Sequence, residues 1–163
     1  MNKIFYTLLI IVALTNNSFS AGSSSDNDSA AKVSNYSKAK NLIKAAKKYE
    51  KKGKTEKAQK RYAKAQSLLL ESNKKKPLQA DTLNYLGFTT RKLGDYKKGE
   101  EFYLQGLQIE PNHNGINEYL GELYVVTNRM DMAKERLEVL KSCNCKEYEE
   151  LKEIIEGTKK SKY

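Results

Sequence analysis

From Lys38 almost to the C-terminus, apolar residues recur every three or four positions, and no run alternates apolar with polar long enough to build a sheet. That spacing predicts helices with one buried stripe. Only Pro77 and Pro111 interrupt it, 34 residues apart. Proline lacks an amide donor and its ring clashes with the preceding turn, so neither can continue a helix. Helices punctuated at one interval call for a test of internal repetition.

Shifting the sequence by 34 residues lays Leu86-Gly87 on Leu120-Gly121, Gly94 on Asn128, Gly99 on Ala133 and Tyr103 on Leu137. Each unit reads as a helix, a tight turn and a second helix. Small residues at Gly87 and Gly121, and at Gly99 and Ala133, let the two helices approach closely. The turn needs a residue at ease in the left-handed region, which Gly94 and Asn128 supply.

This pattern resembles the tetratricopeptide repeat family, marked by apolar residues at positions 4 and 7, small at 8, aromatic at 11, small at 20, aromatic at 24, small at 27 and proline at 32. Counted from Ala80, the central unit has Leu83, Leu86, Gly87, Gly99, Tyr103, Gly106 and Pro111, with Thr90 where an aromatic is usual. Counted from Asn114, the third has Leu120, Gly121, Tyr124, Ala133 and Leu137, and departs at Asn117 and Leu140. A first unit starts at Ala39 with Leu42, Ala45, Ala46, Tyr49, Gly53, Ala58, Tyr62 and Ala65. Its second helix runs on to Lys76, about two turns longer than usual, and should project beyond the neighbouring repeat.

The resemblance implies an all-α fold, a right-handed superhelical stack of helix-turn-helix units. The repeats fall at about 39–77, 80–111 and 114–141 within a domain over 38–157. The last needs a cover, because each unit buries its apolar face only against its neighbours. Cys145 to Glu156 places Tyr148, Leu151, Ile154 and Ile155 on one stripe and is the expected capping helix, followed by a basic tail over 158–163.

The ends read differently. Residues 1–20 have a short basic start (Asn2, Lys3), an apolar core from Ile4 to Leu14, and small residues at Ser18 and Ser20 before Ala21. This is the pattern of an export signal cut after Ser20, with the periplasm as destination. Eleven residues cover only about half of a ~30 Å hydrocarbon core, which argues against the competing reading of an uncleaved anchor. Residues 21–37 are small, polar and aperiodic, a flexible leader.

The net charge is +10. Residues 32–76 carry sixteen basic and three acidic side chains, whereas 77–156 carry ten and fifteen. The basic half has two readings: an arm drawn to an anionic membrane, wall polymer or acidic protein, or a solvated face in a chain with 26 Lys and 4 Arg. Nucleic acid is not an expected partner, since export removes the chain from it and few arginines are there to fork onto phosphates. Tyr49 and Tyr62 are assigned to the repeat core.

No Ser/His/Asp set, glycine-rich phosphate loop or metal-ligand spacing is present, so no enzyme, cofactor, catalytic residue or metal site is expected. His113, the one histidine, reads as a solvated turn residue. Cys143 and Cys145 admit three readings: a local disulfide, an intermolecular or redox-active pair, and soft-metal capture by two thiolates.

The resemblance also implies where a ligand would bind. In the family, positions 2, 5, 9 and 12 of each first helix line a concave groove that takes peptides. Here these are Lys40, Ile43, Lys47 and Glu50, then Asp81, Asn84, Phe88 and Arg91, then Gly115, Glu118, Glu122 and Val125. Lys40, Lys47, Asn84, Phe88, Arg91, Glu118 and Glu122 are the expected partner-binding residues. Phe88 would be the apolar anchor, without a duty in the core. A clamp for a terminal carboxylate is missing. The function so implied is a protein–protein adaptor, with docking of the basic first repeat on an anionic envelope surface as the alternative.

Overall fold

The computed structural model describes residues 33–161. The expected export segment, the leader through residue 32 and the last two residues of the tail lie outside the described residues. Lys32–Tyr163 form one compact unit. Among the described residues there are seven helices and no strand: α1 (Asn35–Glu50), α2 (Thr55–Lys75), α3 (Ala80–Lys92), α4 (Tyr96–Ile109), α5 (Asn114–Val126), α6 (Met130–Leu140) and α7 (Lys146–Ile155).

Local chemistry sets the boundaries. The leader ends three residues earlier than expected, because Ser34 Oγ accepts the Ser37 amide and starts α1 at Asn35. Asp95 caps α4 in the same way through the Lys98 amide. The turns within the three helix pairs each hold one residue in the left-handed region, Gly53, Gly94 and Asn128, at φ 66°, 100° and 59°. Short turns make the helices of each pair antiparallel neighbours.

The pairs α1/α2, α3/α4 and α5/α6 stack in order. The second helices α2 and α4 lie on the first helix of the next pair, and α7 packs on both α5 and α6. The first helices α1, α3 and α5 touch side by side and form one inner face. This is the helix-turn-helix stack that the repeat pattern implies.

The small positions do what their spacing requires. A Cβ on Gly87 would stand 2.6 Å from Tyr103 Cδ1, and one on Gly121 would stand 2.5 Å from Leu151 Cδ2. The first contact sets how closely α3 and α4 approach, and the second seats α7. The core runs in two clusters, one around Tyr62, Leu69, Leu86 and Phe88, the other around Tyr103, Ile116, Leu120 and Tyr124.

Helix α2 has 21 residues against 14 in α4, and the loop after its extra turns holds Leu78, an exposed leucine at φ 58°. At the other end, Cys143 and Cys145 are joined to each other with Cα atoms 5.1 Å apart, and Asn144 between them is left-handed. Tyr49, assigned to the core from its spacing, is only half-buried. It lies on the outer side of α1, where no preceding repeat stands among the described residues.

Candidate binding face

The inner face is where a ligand of this fold was expected, and its floor is already filled. Phe88 is 1% exposed. Its ring meets Tyr62 at 5.8 Å and Tyr119 at 5.1 Å between centroids, and Lys47 Nζ lies 4.4 Å above it. The expectation that Phe88 has no core duty is therefore corrected. Tyr119 of the third repeat folds back over it, and Lys47 of the first lies against both rings.

Arg91 is buried too. Its Nη1 donates to the Tyr119 carbonyl at 2.6 Å, and its Nη2 lies 3.3 Å from Glu122 Oε2, with both side chains fully buried. Arg91, expected to bind a partner, is thus engaged by a carboxylate of this chain. Asn84 and Glu118 are buried beside it, Asn84 against Gly115. These five residues are buried in a cross-repeat floor and form no open surface.

Of the other positions, Ile43 belongs to the core. Glu50 accepts a hydrogen bond from Tyr62 Oη at 2.8 Å and pairs with Lys92 at 2.5 Å. Val125 is half-buried, and Asp81 is exposed. His113 is no solvated turn residue: its Nδ1 accepts the Ile116 amide and caps α5, and its Nε2 lies 3.3 Å from Asp81 Oδ1.

What remains accessible, beside the expected Lys40 and Lys47, is a strip of tyrosines that the sequence reading passed over. The Tyr36 and Tyr85 rings meet at 5.9 Å between centroids, tilted by 60°; both are half-buried, and Tyr119 is also half-buried. Lys40 Nζ stands 5.3 Å from the Tyr36 ring, and Lys47 Nζ donates to Tyr119 Oη at 3.2 Å. A signal for it was present: Asn84-Tyr85-Leu86-Gly87 returns 34 residues later as Glu118-Tyr119-Leu120-Gly121. Tyrosine faces interleaved with ammonium groups can take apolar surface and negative charge together.

Burial sets the electrostatics of these phenols. It is the first cause of the raised ionisation of Tyr62, Tyr103 and Tyr119, reinforced at Tyr62 by the hydrogen bond to Glu50 and at Tyr119 by the Glu118 charge. Tyr124 is pushed up to about 12, by burial and then by Glu100. A phenol with a raised folded pKa keeps its proton longer in the folded state. Stability is therefore complete below the unfolded value near ~10 and falls as pH rises through 10 toward 12 and beyond. Alkaline titration should show tyrosinate absorbance and helix loss rising together in one cooperative step. Buried phenols ionising gradually, with helix content unchanged past pH ~12, would contradict this burial.

Fold and inner face together define a stack of helix-turn-helix repeats, with a filled floor and a lysine–tyrosine strip above it. Compared with known proteins, the chain matches no family model and no curated protein. Among solved structures it is similar to one described as the NMR structure of the first TPR domain of the human RPAP3 protein, with 20% identity, a TM-score of 0.46, and coverage of 77% of this chain and 97% of that one.

Proposed function

We propose that this chain is a non-catalytic interaction module that holds an acidic segment of a protein partner along its inner face. One observation carries the reading: three half-buried tyrosines, Tyr36, Tyr85 and Tyr119, share that face with Lys40 and Lys47. Aromatic side chains lose little rotamer freedom on binding and bury much area, and cations beside them select negative charge. The export pattern of residues 1–20 supports a periplasmic site of action, with the working chain starting at Ala21.

The test is affinity capture from the native envelope fraction, with residues 21–163 as bait beside a Lys40→Glu, Tyr85→Ala variant. Lys40 is exposed and Tyr85 only half-buried at the edge of the core, so the fold should survive both. Proteins retained by the parent chain should bind the variant more weakly by about 2 kcal/mol or more, roughly thirtyfold. Equal retention by both baits would remove the inner-face reading. N-terminal sequencing of the chain recovered from the periplasm should begin at Ala21, and recovery from the cytoplasm with Met1 intact would overturn the location.

A further inference from the structure

The inner face does not use the other end of the stack. There, α1 and α2 present a side on which no element packs among the described residues, whereas α5 and α6 are closed by α7. Leu42 and Tyr49 lie on one face of α1, seven residues apart. Lys57, Lys60, Arg61 and Lys64 lie on one face of α2 at i, i+3, i+4 and i+7. Together these six line a hollow of about 290 Å³. The turn beside it adds Lys51, Lys52 and Lys54, all exposed.

The charges on this end are largely uncompensated. Lys60 pairs with Glu56 at 2.7 Å, and both are well exposed. Among the described residues no carboxylate stands within 4.0 Å of Lys51, Lys52, Lys54, Lys57, Arg61 or Lys64. Arg61 lies 5.0 Å over the Tyr49 ring, and its hydrogen bond and charge draw the phenol below its ordinary range. Like charges gathered without counterions cost folding free energy through mutual repulsion and give the end a strong positive field.

We propose that this open end is an electrostatic docking surface for an anionic phospholipid bilayer. Three features select a membrane over an acidic protein. Six of the seven cations are lysines, mobile and strongly hydrated point charges that a field of phosphates can meet from many directions. The apolar part is limited to the half-buried Leu42 and Tyr49, too little for the anchored core of a protein interface. Tyrosine among lysines is also the composition that settles at headgroup level. The proposal does not depend on the inner-face reading, since the two surfaces share no residue.

The experiment is co-sedimentation of residues 32–163, a compact unit with its own core, with vesicles of two parts phosphatidylcholine to one part phosphatidylglycerol, and with phosphatidylcholine alone. At ionic strength ~0.01 M, where the Debye length is ~30 Å, the protein should bind the mixed vesicles and not the neutral ones. Binding should vanish near 1 M, where that length is ~3 Å. Lys57→Glu, Arg61→Glu, Lys64→Glu should lower partitioning by on the order of 100-fold. Lys97→Glu, Lys134→Glu, Lys160→Glu makes the same change in net charge elsewhere and should cost far less. Equal loss in the two triple variants would show net charge and not this end at work, and would overturn the proposal. So would equal binding to neutral vesicles. Soluble polyglutamate that is held at salt concentrations where vesicle binding has gone would reassign the surface to an acidic protein. Circular dichroism of both variants establishes that each is folded.

Discussion

Arg91→Met should lower the free energy of unfolding by about 3–5 kcal/mol, the largest effect expected of any single polar substitution in this chain. The guanidinium holds two groups of the third repeat at once, the Tyr119 carbonyl and the Glu122 carboxylate, and neither Arg91 nor Glu122 reaches solvent. Methionine fills much of the same space but takes away the guanidinium charge that faces the buried Glu122 carboxylate. The discriminating measurement is a double-mutant cycle in urea. Arg91→Met with Glu122→Leu should be markedly more stable than Arg91→Met alone, because the buried carboxylate is then removed together with the cation it faced. If the single variant stays within about 1 kcal/mol of the parent, the pair is not what joins the repeats.

Phe88→Ala should cost about 3–5 kcal/mol through lost burial and the cavity left behind. The ring lies between Tyr62, Tyr119 and the Lys47 stem, so its removal empties the junction of three repeats at one stroke. Tyr85→Ala, on the half-buried strip one turn earlier, should cost much less. Urea unfolding of the two variants side by side separates floor from surface. A stable Phe88→Ala protein, with Tyr85→Ala the unstable one, would mean the inner face is built the other way round. A lost partner in the Phe88 variant would report unfolding and not a binding contact, so the strip residues are the sound choice for testing recognition.

The helix pairs were legible because short-range rules determine them. A left-handed turn at Gly94 or Asn128 and a small residue where helices cross are requirements that only a few residue types meet, and they recur at the period. The inner floor was not legible in the same way. Whether a side chain on a first helix meets solvent depends on how tightly the stack closes, and no local pattern states that. Phe88 was read as an anchor for a partner because its position faces inward. It faces inward onto Tyr119, 31 residues further along. The Arg91–Glu122 pair has the same separation, so opposite charges near one repeat length apart were a clue to a bridge within the chain. His113 gave no clue at all: a histidine that caps a helix through Nδ1 looks in sequence like any loop histidine.

The bond from Lys47 to Tyr119 spans 72 residues and skips a repeat, joining the first unit directly to the third. A solenoid whose units touch only their neighbours can peel from one end and lengthens under tension much as a spring does. A strut between alternate coils removes that compliance. Opening the first repeat here breaks contacts in the second and the third together, so the stack should yield as one body or not at all. Its curvature is then fixed in the folded state, and a partner would meet a rigid arc and not a coil that tightens around it.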